Sequence, residues 1–372
     1  MRIGIPKEIK NHEYRVGVTP DGTRDLVAAG HTVCVQAGAG AAVGYADDPY
    51  RQAGATVVDD ARAAYDCELI IKVKELQPAE YALTHAGQMF YCYQHFAPDP
   101  PLLKAMLDRG ISGIAYETVA ARDGSLPLLM PMSQIAGRLA PQFGAWALQM
   151  AHGGSGVLLG GVPGVAPAKV VVIGGGAVGA GAARIALGMG ADVTLLDCSA
   201  AKLAHLENVF GARLKTVVSS AQSIPPLVRD ADLVIGAVLL PGKLAPKLVT
   251  VDDVQHMRAG SVIVDVAIDQ GGICETSRAT SHTHPLYVEY GVVHCCVPNM
   301  PSAVARTATQ ALTQATLPYA LAIANKGLRA ALADDAGLRE GLQVHAGSVT
   351  HSGLAQDTGY AFVDALTALA KP

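Results

Sequence analysis

The sequence predicts an α/β protein built on two doubly wound parallel sheets, and three observations predict it. Short β-branched runs alternate with helical patterns along the chain, which is the signature of strand–helix–strand units. The strand candidates in the second half are near-continuously apolar and do not alternate, as happens when helices cover both faces of a sheet. At roughly 150 residues per domain, a chain of 372 residues has the length for two such units.

The elements follow in order. The N-terminal third reads RIGI, then a helix over DGTRDLVAAG, then HTVCVQAG, ATVV, ELIIKV, QMFYCY and GISGIAYE as strand candidates. From Lys169 a second series runs KVVVIGG, a helix over AVGAGAARIALGMG, then DVTLLD, LKTVV, DLVIGA, SVIVDVA and VVHCCV, six strand candidates in one unit. Between the two series, Leu139 to Ala168 contains no Asp, Glu, Lys or Arg. It is long enough to cross a bilayer, but Pro141, Gly153-Gly154, Gly160-Gly161, Pro163 and Pro167 would leave backbone groups unpaired in lipid. A helix around Pro141 to Met150 followed by a glycine-rich linker is expected instead. After Pro301, VARTATQALTQATLPYALAIANKGLRAAL predicts a long C-terminal helix kinked at Pro318. The first series has no closing helix and the tail has no sheet, so the tail is expected to return. The first domain is then discontinuous, 1–130 plus 304–372, and the second is 131–303.

Composition narrows the function. Half the residues are hydrophobic and 16% are charged, which excludes a disordered chain. A net charge of -4 leaves no basic excess for a phosphate backbone, so a small-molecule ligand is expected, with no nucleic acid and no membrane. Seven cysteines without a CxxC pair read as buried free thiols. The start, MRIGIPKEIKN, carries no apolar stretch of signal-peptide length, and a cytoplasmic protein is expected. A mean hydropathy of +0.29, together with the apolar C-terminal helix, predicts self-association.

The clearest motif is Gly174, Gly176 and Gly179 in GGGAVG, a GxGxxG that follows the strand KVVVI and opens a helix through Ala177 and Val178. The first glycine permits the tight turn, the second lets backbone approach a pyrophosphate, and the third lets helix and strand pack closely. Asp197 ends the next strand, eighteen positions after Gly179, where a carboxylate accepts ribose hydroxyls and repels a 2′-phosphate. The second unit is therefore predicted to be a Rossmann-like domain that binds NAD in preference to NADP.

Other residues carry chemistry by type and position. Arg15, after the polar stretch KNHEY, offers a planar fork for a carboxylate, though read alone a loop arginine is more often a solvated surface charge. Lys72 and Lys74 end an apolar strand, where alternation puts both on one face; a strand-end lysine can also be an edge-protecting charge. His95 follows QMFYCY at a sheet's carboxyl edge and suits proton transfer near neutral pH. Asp269 in DVAIDQGG is read at the end of a strand facing the crevice, where it can orient a water, or it is a turn residue before two glycines. Asp265 shares its face, lies deeper and is read as structural. His282 and His284 read as solvated, and no metal is expected.

IPKEIKNHEYRV, IKVKE, QHFAP, AYET, LPLLMPMSQIAGR, GGVPGVAPAKVVVIGGGAVG, LPGKLAPKLV, VIVDVAIDQGG and VPNMPSAVARTAT together resemble the L-alanine dehydrogenase family over essentially the whole chain. The same superfamily contains the nucleotide-binding α subunit of proton-pumping transhydrogenase. The resemblance implies reversible NAD-linked oxidative deamination of L-alanine to pyruvate and ammonia, and a homohexamer. It makes the first domain the substrate domain, with Arg15 and Lys74 recognising the substrate's carboxylate and carbonyl and Met132 lining its pocket. His95 and Asp269 become the catalytic pair. Ser133, Lys202, Ser219, Val238 and Leu239 become cofactor contacts on the phosphate and adenosine sides. Val266, Ile268, Val297, Asn299 and Met300 enclose the nicotinamide, with Asn299 able to bind its ribose or the substrate. The sequence departs from the family around the histidine, where Tyr93 and Gln94 stand beside it, and after Glu75, where a common proline is absent; side-chain selectivity is what these changes touch. A dehydrogenase for another small amino acid and a transhydrogenase-like hydride-exchange subunit are the alternatives.

Overall fold

The computed structural model describes residues 1–238 and 244–370. The chain divides into two compact units, Met1–Met132 with Val304–Pro372, and Ser133–Ala303. Each is an α/β unit around a parallel-dominated, Rossmann-like sheet.

The first unit contains β1 (Arg2–Ile5), β2 (Thr32–Gln36), β3 (Thr56–Val58), β4 (Leu69–Ile71), β5 (Met89–Cys92), β6 (Ser112–Ala115) and, from the C-terminal segment, β14 (Leu342–His345) and β15 (Ser348–Val349). Their order is β15-β14-β6-β5-β4-β1-β2-β3, with β14 antiparallel to both β6 and β15 and the rest parallel. The winding reverses between β1 and β4. Loops leaving those two strands at their carboxyl ends diverge, and that is where an open α/β sheet leaves room for a ligand. Arg15 lies in the loop after β1, Lys74 in the loop after β4, and His95 three residues beyond β5.

The second unit contains β7 (Lys169–Ile173), β8 (Asp192–Asp197), β9 (Leu214–Val218), β10 (Leu233–Gly236), β11 (Val262–Asp265), β12 (Leu286–Glu289) and β13 (Val292–Cys295). The order is β12-β13-β11-β10-β7-β8-β9, parallel except for β12 at the edge. Its reversal falls between β7 and β10, so the turn Gly174–Gly179 sits at the switch point. The core strands are buried on both faces, which explains the unbroken apolar runs: Val170, Val171, Val172 and Ile173 are all at most 3% exposed.

Several expectations are corrected. The tail is not sheetless, because β14 and β15 extend the first sheet. The second sheet has seven strands, since LYVE pairs antiparallel at an edge where half-exposed residues blur the pattern. The helix before the linker spans Met130–Ala147, an earlier start than read from the sequence. The long C-terminal helix runs Ala305–Lys326 through Pro318, but Gly327 (φ +78°) ends it and a second helix follows, Leu328–Asp334. Among the described residues no helix is long and apolar enough to cross a membrane. Six cysteines are buried, whereas Cys198 is exposed.

The long C-terminal helix also disciplines the loop that carries Arg15. Its buried Thr309 and Thr313 hydroxyls accept the backbone N–H groups of Val16 (3.3 Å) and Thr19 (3.2 Å). Hydroxyls facing inward from a helix satisfy a loop backbone that the sheet cannot reach.

Candidate functional site

In the first unit, two basic side chains, Arg15 and Lys72, are each held by carboxylates. Arg15 is not on an exposed loop, as its polar neighbours suggested; it is 2% exposed. Its Nε and Nη2 donate to the two oxygens of Glu13 at 2.7 and 2.5 Å, while Nη1 donates to Met132 Sδ at 3.1 Å. Burial alone would pull the guanidinium's pKa down, but Glu13 more than restores it, so the charge is kept. A thioether is a weak acceptor.

Lys72 and Lys74 do not share a face, because β4 stops at Ile71 and alternation ends with it. Lys72 is fully buried, with its ammonium 2.8 Å from Glu80 and 3.2 Å from Glu8. Burial opposes that charge and the two carboxylates outweigh it, raising its pKa. Glu8 in turn accepts the backbone N–H of Val73 at 2.7 Å and of Lys74 at 3.2 Å, which fixes the chain that carries Lys74. Lys72 is therefore a structural ion. Lys72→Met strands two buried carboxylates and is expected to cost about 3–5 kcal/mol, read as a fall in the urea midpoint at neutral pH; an unchanged midpoint contradicts this account.

Lys74 places its ammonium 6.0 Å from the centre of the Tyr93 ring. The same buried ring lies parallel to the His95 imidazole, 6.0 Å between centroids, and its hydroxyl donates to the Leu128 carbonyl at 2.7 Å. Burial pushes the Tyr93 pKa up despite nearby Arg15, so the phenol stays protonated. Tyr93 is thus the surface around which Lys74, His95 and Arg15 gather. His95 has a left-handed backbone, φ +47°, and a side chain 43% exposed. Its N–H donates to Glu117 at 2.8 Å, and Gln94 N–H donates to the same carboxylate at 3.1 Å.

Sequence reasoning gave no role to Glu8, Glu13 or Glu117. The signal was present: all three lie in the stretches IPKEIKNHEYRV and AYET, but nothing in their spacing says which backbone they hold.

In the second unit, β7 runs into the glycine turn. Gly174 (φ +106°) donates its N–H to the Leu196 carbonyl at 2.7 Å, and a Cβ there would sit 2.6 Å from the Ala237 carbonyl. A Cβ on Gly179 would sit 1.7 Å from the Gly174 carbonyl, whereas one on Gly176 meets nothing within 4 Å. The third glycine is thus required by packing, and the second leaves open space at the start of the helix Ala177–Gly188, where its unpaired donors lie. Asp197 ends β8, 6% exposed, accepting from Gly175 N (2.7 Å), Ser199 N (2.9 Å) and Lys202 Nζ (2.9 Å). Burial would raise its pKa, but Lys202 and the two amides hold it below the ordinary value, so it is a carboxylate at neutral pH. Ser219 is half-buried just past β9, its N–H on the Asp197 carbonyl at 3.0 Å, and Val238 is half-buried just past β10. Leu239 lies outside the described residues. Turn, open helix start and paired acid fit a dinucleotide's pyrophosphate and adenosine ribose.

Asp269 does not end a strand. β11 stops at Asp265, and Asp269 stands exposed in a 3-10 turn, Val266–Gln270, beside half-buried Val266 and buried Ile268. Asp265 caps that turn, accepting from Ala267, Ile273 and Cys274 N–H groups and from the Ser277 hydroxyl, as a structural residue does. His282 is not simply solvated: its Nε2 lies 3.3 Å from the Asn299 carbonyl and 3.1 Å from the Ser302 hydroxyl. Asn299 takes φ +57° between buried Val297 and Met300, a conformation asparagine tolerates. Ser133 is half-buried within the helix Met130–Ala147. Among the described residues no group of three His, Cys, Asp or Glu side chains stands together as metal ligands do.

Two family models match the chain: the alanine dehydrogenase/PNT N-terminal domain over residues 4–136 and the C-terminal domain over 140–352. An alanine dehydrogenase of Halomonas elongata is 55% identical over 366 residues, covering 98% of this chain and 99% of its own. One from Bacillus subtilis is 50% identical over 370 residues, 99% and 98% of the two chains. A solved L-alanine dehydrogenase superposes with TM-score 0.94 at 52% identity, over 96% of this chain and 99% of its own. A transhydrogenase of Sinorhizobium meliloti, TM-score 0.80 at 24% identity, covers 95% of this chain and 99% of its own and shares the fold.

Proposed function

The chain belongs to the alanine dehydrogenase/PNT family, and on that premise we infer that it catalyses reversible NAD-dependent oxidative deamination of L-alanine to pyruvate and ammonia. One observation carries the reading: identity of half or more with enzymes named alanine dehydrogenase extends over essentially the full length of both chains. Substrate-side groups and glycine turn both fall within the matched length.

Gly174, Gly176, Ala177, Val178 and Gly179 would hold the pyrophosphate, and Asp197, beside Lys202 and Ser219, the adenosine ribose. Bound NAD would accept a hydride from the substrate α-carbon. Arg15 would meet the substrate carboxylate through the Nη1 corner it now turns to Met132, and Lys74 would stabilise negative charge at the carbonyl being formed or consumed. The iminium left by hydride loss needs water and a base. His95 would take the proton from that water, giving a carbinolamine, and would return it to the nitrogen as the C–N bond breaks, the hydroxyl proton leaving to solvent as the carbonyl forms and ammonia departs. Asp269 would orient the water or the ammonium. Ser133, Val238, Val266, Ile268, Val297, Asn299 and Met300 complete the cofactor contacts in this reading. It extends to a homohexamer in the cytoplasm; seven cysteines without a disulfide fit a reducing compartment.

The test is absorbance at 340 nm with L-alanine and NAD, run beside NADP and beside glycine, serine and 2-aminobutyrate. NADH is expected to form fastest from L-alanine. NADP is expected to serve poorly, because the Asp197 carboxylate repels a 2′-phosphate more than Lys202 attracts it. Equal or better rates with NADP sink the cofactor assignment, and a faster amino acid replaces alanine.

A further inference from the structure

His95 is strained and must be held. A non-glycine residue at φ +47° persists only where its surroundings impose that conformation. Glu117 does so from the neighbouring strand: it lies in the turn Tyr116–Thr118 directly after β6, which pairs in register with β5. Its Oε1 accepts the N–H of His95 at 2.8 Å and of Gln94 at 3.1 Å, and its Oε2 accepts the latter at 3.2 Å. The same Oε1 lies 3.8 Å from His95 Nδ1, outside hydrogen-bond reach and inside ion-pair range.

One oxygen atom thus addresses both the backbone and the ring of the same residue. We propose that Glu117 is the positioning carboxylate of His95, anchoring its left-handed backbone and stabilising the imidazolium through Nδ1. The proposal rests on the reading that His95 is the proton acceptor.

Other groups act on the ring. Tyr93 lies parallel to it and stays protonated, and the Lys74 ammonium lies 6.0 Å from the centre of that ring. Glu75, after β4, is also within electrostatic reach of His95, but it is ion-paired to Lys10 and further balanced by Lys74. His351, which caps the helix Ser352–Thr358, faces Glu117 electrostatically and is held mostly neutral by burial. Glu117 differs from these groups in that it also holds the backbone N–H of His95.

The experiment compares Glu117→Gln and Glu117→Asp in the full-length protein. Glutamine keeps an oxygen to accept both N–H groups and loses the charge; aspartate keeps the charge. Carbethoxylation of His95 by diethyl pyrocarbonate, followed across pH by mass spectrometry of its peptide, reads the ring's pKa without substrate. In Glu117→Gln that pKa is expected to fall by about half to one unit. The acid limb of kcat/KM for L-alanine follows it downward, kcat at the plateau drops about tenfold, and KM stays within about twofold. Glu117→Asp is expected to keep the wild-type modification profile. A Glu117→Gln protein with wild-type modification and rate profiles overturns the proposal, because the carboxylate would then be only a backbone acceptor. So does a Glu117→Asp profile shifted as far as that of Glu117→Gln. A shifted modification profile in a protein that does not turn over L-alanine supports the pairing and counts against the reaction proposed above.

Discussion

His95→Ala is expected to lower kcat for L-alanine oxidation by a factor on the order of 10² to 10⁴, with NADH still bound as in the wild type. The loss is expected in chemistry because His95 is not among the residues read as holding the dinucleotide, the glycine turn and Asp197. The side chain is 43% exposed and fills no core, so its removal leaves no cavity. Its φ of +47° does call for care. His95→Asn, which adopts a left-handed conformation more readily than alanine, separates loss of the base from loss of the backbone shape. Both variants are to be measured by steady-state rates and by NADH fluorescence titration. Turnover within tenfold of wild type in both would remove His95 from the reaction.

The second large effect is expected from Gly179→Ala. The added carbon lies 1.7 Å from the Gly174 carbonyl oxygen and 2.9 Å from its carbon, and both are backbone atoms of the turn itself. Neither can rotate away, so the helix must move off the strand or the turn must open. Overpacking of this kind costs about 3 kcal/mol, and a cost of that size falling on the turn geometry weakens NADH binding on the order of 100-fold. Gly176→Ala is the control. Its new methyl meets no protein atom within 4 Å, so the melting temperature stays as in the wild type, and any loss of NADH affinity there reports crowding of the ligand. Titration and thermal melts of the two variants together distinguish the cases. A Gly179→Ala protein that binds NADH normally would mean that the turn does not hold the pyrophosphate.

Both predictions use residues visible in the chain before any coordinates. The six strand candidates of the N-terminal third, from RIGI to GISGIAYE, correspond to β1 to β6, and the six of the second series to β7 to β11 and β13. A buried parallel strand is an unbroken apolar run with few rivals for its place. The strands that escaped are β12, β14 and β15, which pair antiparallel at sheet margins. β12 and β15 are short, partly exposed edge strands whose pattern does not stand out from a loop, whereas β14 is buried between β6 and β15 and is only four residues long.

The site divides the same way. GxGxxG announces itself because, within six residues, Gly174 and Gly179 answer close backbone contacts and Gly176 leaves open space. The carboxylates do not, because their partners are distant: Glu8 serves a backbone 65 and 66 positions on, and Glu117 one 22 and 23 positions back. Lys72 and Lys74 look alike on paper, yet one is locked between two buried acids and the other stands over an aromatic ring.

What the chain determined alone was which side chains can ionise and which runs must be strands, since both depend on side-chain type and on neighbours within a few positions. What only the folded structure decided was how each charge is balanced. Whether an arginine is a surface ion or a buried fork, and whether a histidine has an anion behind it, depends on groups that adjacent strands bring together. Such pairing follows the sheet order and leaves no local trace in the sequence.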